Sequence, residues 1–277
     1  MSDENKCVIN SYDQIFFSTR DSINLKVIKD SNCNQQILKH FTQKLSNSLG
    51  TLKANYLSSI MNERYKNIKI EITPSIILIK NLKQVVQNNL INNKNILTEI
   101  DHRKKYLIFL NKKQQLKLSC TKCDNLGEFH IKYYITNSNK RPQWIKITNK
   151  IKAKAFVTTQ NIRPNQNLTP ELFTIQEIKT VHPEQLVTNT SNLIFQKLTR
   201  PINENTPLLK KNLISKNIVR QNYPVSLKLK QGNLNLTGTG IALNSGKLGD
   251  IIKIRNQTTK KIIFGTITNF NTVEIKL

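Results

Sequence analysis

Residues 245–256 read SGKLGDIIKIRN and hold two of the chain's eight glycines, Gly246 and Gly249. Four more, Gly232, Gly238, Gly240 and Gly265, lie within twenty residues of this stretch. Glycine enters left-handed and mirror-β backbone without penalty, so a cluster of it among alternating apolar residues marks tight turns, bulges or close backbone approach. The stretch sits in a series of five short strand-like runs: VSLKLK (225–230), LNLTGTGIAL (234–243), IIKIRN (251–256), IIFGTIT (262–268) and TVEIKL (272–277). Turn-forming segments separate them, a pattern that predicts a small barrel or sandwich.

Upstream lies a shorter echo. NIRPNQNLTPELF (161–173) and PINENTPLLKKNL (201–213) place Ile162, Leu168 and Phe173 at the same spacing as Ile202, Leu208 and Leu213. Asn165 and Asn205 each follow the isoleucine by three residues, where a turn wants a side chain tolerant of positive φ. Two similar arms are implied. A hinge that lets the domains open and close is expected between residues 148 and 152 or between 213 and 224, where Asn, Lys and Pro replace apolar alternation.

The N-terminal half reads as an α+β region. Runs CVINSY, QIFFST and INLKVI are rich in β-formers, and NQQILKHFTQKLSNSLG (34–50) carries Ile37, Leu38, Phe41, Leu45 and Leu49 at helical spacing, closed by Gly50. IKIEITPSIILIK (68–80) predicts two strands, NLKQVVQNNLI (81–91) a helix, and KYLIFL, QLKLSC, FHIKYYI and QWIKI further strands. The expected domains are 1–149, 150–215 and 216–277.

Lys and Arg outnumber Asp and Glu by 43 to 17, giving a net charge of +26. In isolation that favours a polyanionic partner. The lysines are scattered, however, and travel with an excess of Asn and Ile, so the basicity reads as solvated faces rather than a nucleic-acid footprint. No apolar stretch approaches the ~18 residues of a membrane span, and no membrane insertion is expected. The start, MSDENKCVIN, has no apolar signal core, which implies either a cytosolic protein or a chain whose leader has been removed.

The cysteines are Cys7, Cys33, Cys120 and Cys123. An even count permits a 7–33 and a 120–123 bridge in an oxidising compartment, one of three possible pairings. CTKCDNLGEFH (120–130) also raises zinc, but no second ligand pair stands at matching spacing, and His40, His102 and His182 fall in no array. A redox C-x-x-C opens a helix, whereas the residues after Cys123 read as turn and strand, which favours a structural disulfide. There is no Gly-rich phosphate loop, Ser-centred elbow or HExxH. Neither an enzyme nor a cofactor is expected.

The paired arms, Tyr223-Pro224-Val225, and GIALNSGKLGDIIKIRNQTTKKIIFGTIT (240–268) together resemble the flagellar basal-body P-ring formation (FlgA) proteins over about residues 150–277. The most specific part is Gly246, Gly249, Asp250, Arg255, Asn256 and Gly265. That family has Gly where this chain has Asn165 and Asn205, and its first hundred residues match only loosely. The resemblance implies a mainly β protein: an α+β N-terminal part, a SAF-type β-clip domain, then a small β-barrel or sandwich domain. It implies a periplasmic assembly chaperone that binds the P-ring subunit, without catalysis or cofactor. The exported family also favours Cys7–Cys33 and Cys120–Cys123 as bridges. A carbohydrate-binding or nucleic-acid-binding β-module is the alternative.

Overall fold

A computed structural model describes residues 6–231 and 234–275, so Gly232 and the last two residues of the final run lie outside it. Two compact units are formed, 1–152 with 179–181, and 153–178 with 182–277.

In the first unit, β1 (Lys6–Ser11), β2 (Gln14–Phe17) and β3 (Ile28–Ser31) precede α1 (Gln35–Ser46). Then come β4 (Gly50–Lys53), α2 (Ala54–Arg64), β5 (Lys69–Thr73), β6 (Ile76–Asn81), α3 (Leu82–Leu90), β7 (Ile96–Ile100) and β8 (Leu107–Leu110). The run continues through β9 (Leu116–Ser119), β10 (Gly127–Ile135) and the 16-residue β11 (Gln143–Thr158), which carries the chain out of the unit. One sheet has the order β3-β1-β5 and another β4-β6-β2-β8, while β9 and β10 pair in series onto β11. β7 lies on β11 with Thr98 opposite Asn149.

β2 shows why three consecutive residues, Ile15, Phe16 and Phe17, are apolar. Ile15 and Phe17 enter a core with α1, α2, β1 and β5, whereas Phe16 faces a second core with α3, β10 and β11. A strand buried on both faces loses the alternation of a half-exposed one. α1 starts where Asn34 caps it, its Oδ1 accepting from the Ile37 N–H at 2.9 Å, and buries Ile37, Phe41 and Leu45.

Three expectations need correction. α1 ends at Ser46, so Leu49 lies off the helix and half exposed, and Gly50 opens β4 at φ +87°. INLKVI is mostly a single 3-10 turn, Leu25–Val27, with β3 beginning only at Ile28. Residues 148–152 form no loop: they lie in the middle of β11, and 148–151 pair with β7, at the end of the first unit's main segment. The IKIEITPSIILIK strands, β5 and β6, belong to different sheets and are joined through the cis Thr73–Pro74 bond.

The second unit holds β12 (Phe173–Thr180, apart from its last two residues), β13 (Gln196–Leu198) and β14 (Leu213–Ser215). It ends in β15 (Pro224–Gln231), β16 (Leu234–Ala242), β17 (Ile251–Asn256), β18 (Ile262–Asn269) and β19 (Thr272–Ile275), which close into a five-stranded barrel. The expected fold class is the one found: an α+β part, a β-clip with paired arms and a small barrel. All five predicted barrel strands form.

The arms repeat at an offset of forty residues. A 3-10 turn at Pro170–Leu172 leads into β12, and one at Lys210–Asn212 leads into β14. The Thr159 N–H donates to the Leu172 carbonyl at 3.0 Å, and its counterpart Thr199 donates to Asn212 at 2.9 Å. Ile162 and Ile202 pair with each other through two reciprocal backbone bonds of 2.8 and 3.0 Å. Their side chains join Leu168, Phe173, Leu198 and Leu208 in one core.

Asn149 is fully buried on β11. Its Oδ1 accepts from the Thr98 hydroxyl at 2.9 Å, and its Nδ2 donates to the carbonyls of Cys123 at 2.5 Å and Asn125 at 3.1 Å. One side chain thus ties two strands to the 120–125 loop. Asn149→Ala is expected to lower stability by about 2–3 kcal/mol, because it strands buried polar groups without a partner. Asn149→Leu should cost at least as much, since it adds bulk without restoring a bond; thermal melting or urea unfolding of both variants checks this.

Candidate functional site

The six motif residues are placed by the barrel's turns. Leu243–Asp250 connects β16 to β17. Gly246 in this loop bonds the segment entering the barrel: its carbonyl accepts from Ile218 and Val219 at 3.0 and 3.2 Å, and its N–H donates to Val219 at 3.1 Å. A Cβ on Gly246 would lie 2.6 Å from Ile267 Cδ1. Gly249 has open space around it but sits at φ +87°, and its N–H donates to the Ile267 carbonyl at 2.8 Å. Asp250 Oδ2 accepts from the Lys247 N–H at 2.8 Å, which closes the turn from inside.

Arg255 and Asn256 stand at the far end of β17, about 16 Å away along a six-residue strand. Asn256 Oδ1 accepts from the N–H groups of Thr258 and Thr259 at 2.8 and 2.9 Å and shapes the next turn. Gly265 lies opposite Ile252 in β18, where a Cβ would meet Val273 Cγ1 at 2.5 Å and the Glu274 carbonyl oxygen at 2.9 Å. The motif therefore gathers Gly246, Gly249 and Asp250 at one turn, spends Asn256 on another, and uses Gly265 for a crossing between neighbouring strands. It does not converge on a single pocket. Arg255 is exposed.

Gly240, which the motif omits, is packed as tightly: a Cβ there would meet Ile254 Cγ2 at 2.4 Å. Its signal was available, since it alternates with Ala242 on the inward face of β16. Of the two arm asparagines, Asn205 takes the left-handed conformation at φ 57°, while Asn165 is not among the described residues with positive φ. The first turn includes Pro164, and the Gln166 N–H bonds the Arg163 carbonyl at 3.2 Å, so the two turns differ where their sequences do.

Cys7 is bridged to Cys33 and Cys120 to Cys123, with Cα separations of 5.0 and 5.8 Å. Both sulfurs of the C-x-x-C are thereby engaged, which removes them as zinc ligands. Asp124 beside this loop accepts from the Asn92 N–H at 2.6 Å and from its Nδ2 at 3.0 Å. The loop is fastened from both sides.

The first unit also contains an open cleft of about 560 Å³ lined by Lys83, Glu99, Asp101, Arg103, Glu128, Lys146 and Lys150. Sequence reasoning did not find it, because its charges come from separate strands. Its carboxylates are all engaged: Glu99 with Lys150 at 2.6 Å, Glu128 with Lys146 at 2.8 Å, and Asp101 with Arg103 at 3.0 Å. The Arg103 guanidinium and backbone N–H hold Asp101 at a pKa of about 2, and Lys146 and Lys150 hold Glu128 and Glu99 below the usual range. Such a cleft offers three fixed ion pairs with Lys83 as a fourth cation.

Residues 153–275 match the family model described as chaperone for flagella basal body P-ring formation. The resemblance carried by the arms and the barrel motif is borne out over this part of the chain. Among solved structures, the protein is similar to Salmonella FlgA in its open form, with 13% identity over 60% of this chain and 85% of that one, at a TM-score of 0.38. It is also similar to the closed form, with 12% identity over 71% and 97% and a TM-score of 0.31. Flagellar protein FlgA from Thermotoga maritima matches with 12% identity over 97% and 98%, at a TM-score of 0.41. No curated protein matches the sequence.

Two expectations follow from this geometry. Gly249→Val, strained at positive φ by on the order of 1–3 kcal/mol, and Gly265→Val, which drives a branched side chain into the neighbouring strand, should both lower the melting temperature. Calorimetry of the two variants checks this.

The second concerns acid. A carboxylate whose pKa is lowered on folding stabilises the fold above its unfolded pKa, near 4 for Asp, and loses that contribution as pH falls through its folded pKa. The part due to Asp101 is therefore expected to disappear between about pH 4 and pH 2. Carbon-13 titration of Asp101 should give a midpoint near 2, returning toward the ordinary value in Arg103→Gln.

Proposed function

We propose that the protein is a periplasmic assembly chaperone that binds the flagellar P-ring subunit and promotes its polymerisation around the rod, with no catalytic step and no cofactor. The observation that carries this reading is the family match over 153–275, which spans the paired arms and the barrel. The two disulfides suit an oxidising compartment such as the periplasm. No helix among the described residues is long and apolar enough to cross a membrane. We further propose that 1–149, 150–215 and 216–277 act as three domains. Separate apolar clusters around the arms and inside the barrel support the division of the second unit. On this reading Gly246, Gly249, Asp250, Asn256 and Gly265 shape the barrel that presents the binding surface, and Asn165 and Asn205 shape the arms.

The test is capture of purified P-ring subunit by the full oxidised chain across a salt series, with duplex DNA and glycan strands as controls. The expected result is retention of the subunit with at most a few-fold change over the series. A polyanion complex that neutralises several phosphates would instead lose about a hundredfold or more in affinity between 50 and 200 mM salt. Salt-sensitive capture of DNA without the subunit would overturn the chaperone reading, as would capture of glycan alone.

A further inference from the structure

The barrel carries an apolar face that its own core does not use. On β17, Ile252 and Ile254 point inward and are buried, leaving Ile251, Lys253 and Arg255 on the outside. On β18, Ile262 and Phe264 are outward. Cross-strand register sets Lys253 opposite Phe264 and Arg255 opposite Ile262. Ile251, Ile262 and Phe264 are 71%, 56% and 57% exposed; the two isoleucines open their strands, and Phe264 lies between them opposite Lys253. Isolated exposed hydrophobics are ordinary, but three large ones adjoining on two strands form a patch of the kind that marks an interaction site.

The charges on the two strands and in the turn that joins them are all positive. Lys253 sits over the Phe264 ring with its ammonium 5.9 Å from the centroid, and Lys260 and Lys261 lie in the turn joining the strands. Neither strand contains a carboxylate. The acids nearest in the fold are Asp250, bonded to the Lys247 N–H, and Glu274, opposite Thr266 on β19.

This charge pattern selects the occupant. A second copy would bring like charges together in a chain of net charge +26. A lipid surface takes apolar residues from protruding loops or amphipathic helices, whereas these three lie on paired strands of a closed barrel. Resting on the chaperone reading, we propose that the outer face of β17 and β18 docks an apolar segment of the P-ring subunit that carries Asp or Glu. Ile251, Ile262 and Phe264 supply the contact area, and Lys253 and Arg255 supply the charge match.

The experiment measures affinity of the full oxidised chain for purified P-ring subunit by biolayer interferometry. Ile251→Ser with Phe264→Ser is expected to weaken binding at least about tenfold at an unchanged melting temperature, as loss of an aromatic anchor does. Lys253→Glu with Arg255→Glu, both exposed and free of core contacts, should weaken it several-fold, chiefly in the association rate. Wild-type binding that neither pair of substitutions alters would overturn the docking face while leaving the chaperone reading intact. Absence of wild-type binding would overturn both. Wild-type binding to phosphatidylglycerol vesicles that the serine pair abolishes would overturn the protein occupant in favour of a membrane.

Discussion

The reciprocal pairing of Ile162 and Ile202 is the contact on which the paired arms depend. Each residue supplies the donor and the acceptor that the other needs, and each side chain enters the core that the two arms share. The second arm could not bury its face alone: β13 and β14, which flank it, are three residues long, and isolated short strands are marginal. Two copies of one motif, closed on each other through equivalent residues, solve that problem with little secondary structure. The sequence need keep only the apolar spacing, so the turn residues are free to differ. That freedom is visible in Asn165 and Asn205, which occupy equivalent positions in different backbone conformations.

Closing five strands into a barrel imposes the opposite demand, since neighbouring backbones crowd wherever inward side chains meet. Gly240 and Gly265 are the positions at which a single added carbon would fall within 2.5 Å of a neighbour. Crowding also holds at Gly246, where a Cβ would lie 2.6 Å from Ile267, and Gly249 serves a turn at φ +87°. A chain whose composition otherwise runs to Asn, Ile and Lys keeps glycine where no other residue fits, which is why SGKLGDIIKIRN could be read at all.

Legibility followed local pattern. The barrel strands, the arm repeat, α1 and α3 were readable because each carries a period or a cap within a few residues, as Asn34 and Asn81 do for the two helices. α2 was not readable: it begins at Ala54 after Lys53, which gives no side-chain cap, and its buried set of Ala54, Leu57 and Met61 is short, with exposed Tyr56 off the stripe. Residues 148–152 read as a hinge because Asn149 looks like a loop residue. Its polarity is explained only by Thr98 and the carbonyls of Cys123 and Asn125, all remote in sequence. The cleft between Glu99, Asp101 and Glu128 was invisible for the same reason.

Charge is where composition and structure part most clearly. Across the chain the lysines are scattered, which argues against a polyanion site. In the first unit several are neutralised by the few carboxylates available, so three ion pairs line the cleft beside Lys83, and exposed pairs contribute little stability. On the barrel no carboxylate shares β17 and β18, and the same lysine content surrounds exposed isoleucine and phenylalanine. A cation beside an apolar side chain helps keep that face in solution, because its charge opposes association with another basic surface. Scattered basicity can thus guard an apolar face against self-association without being a binding site for nucleic acid.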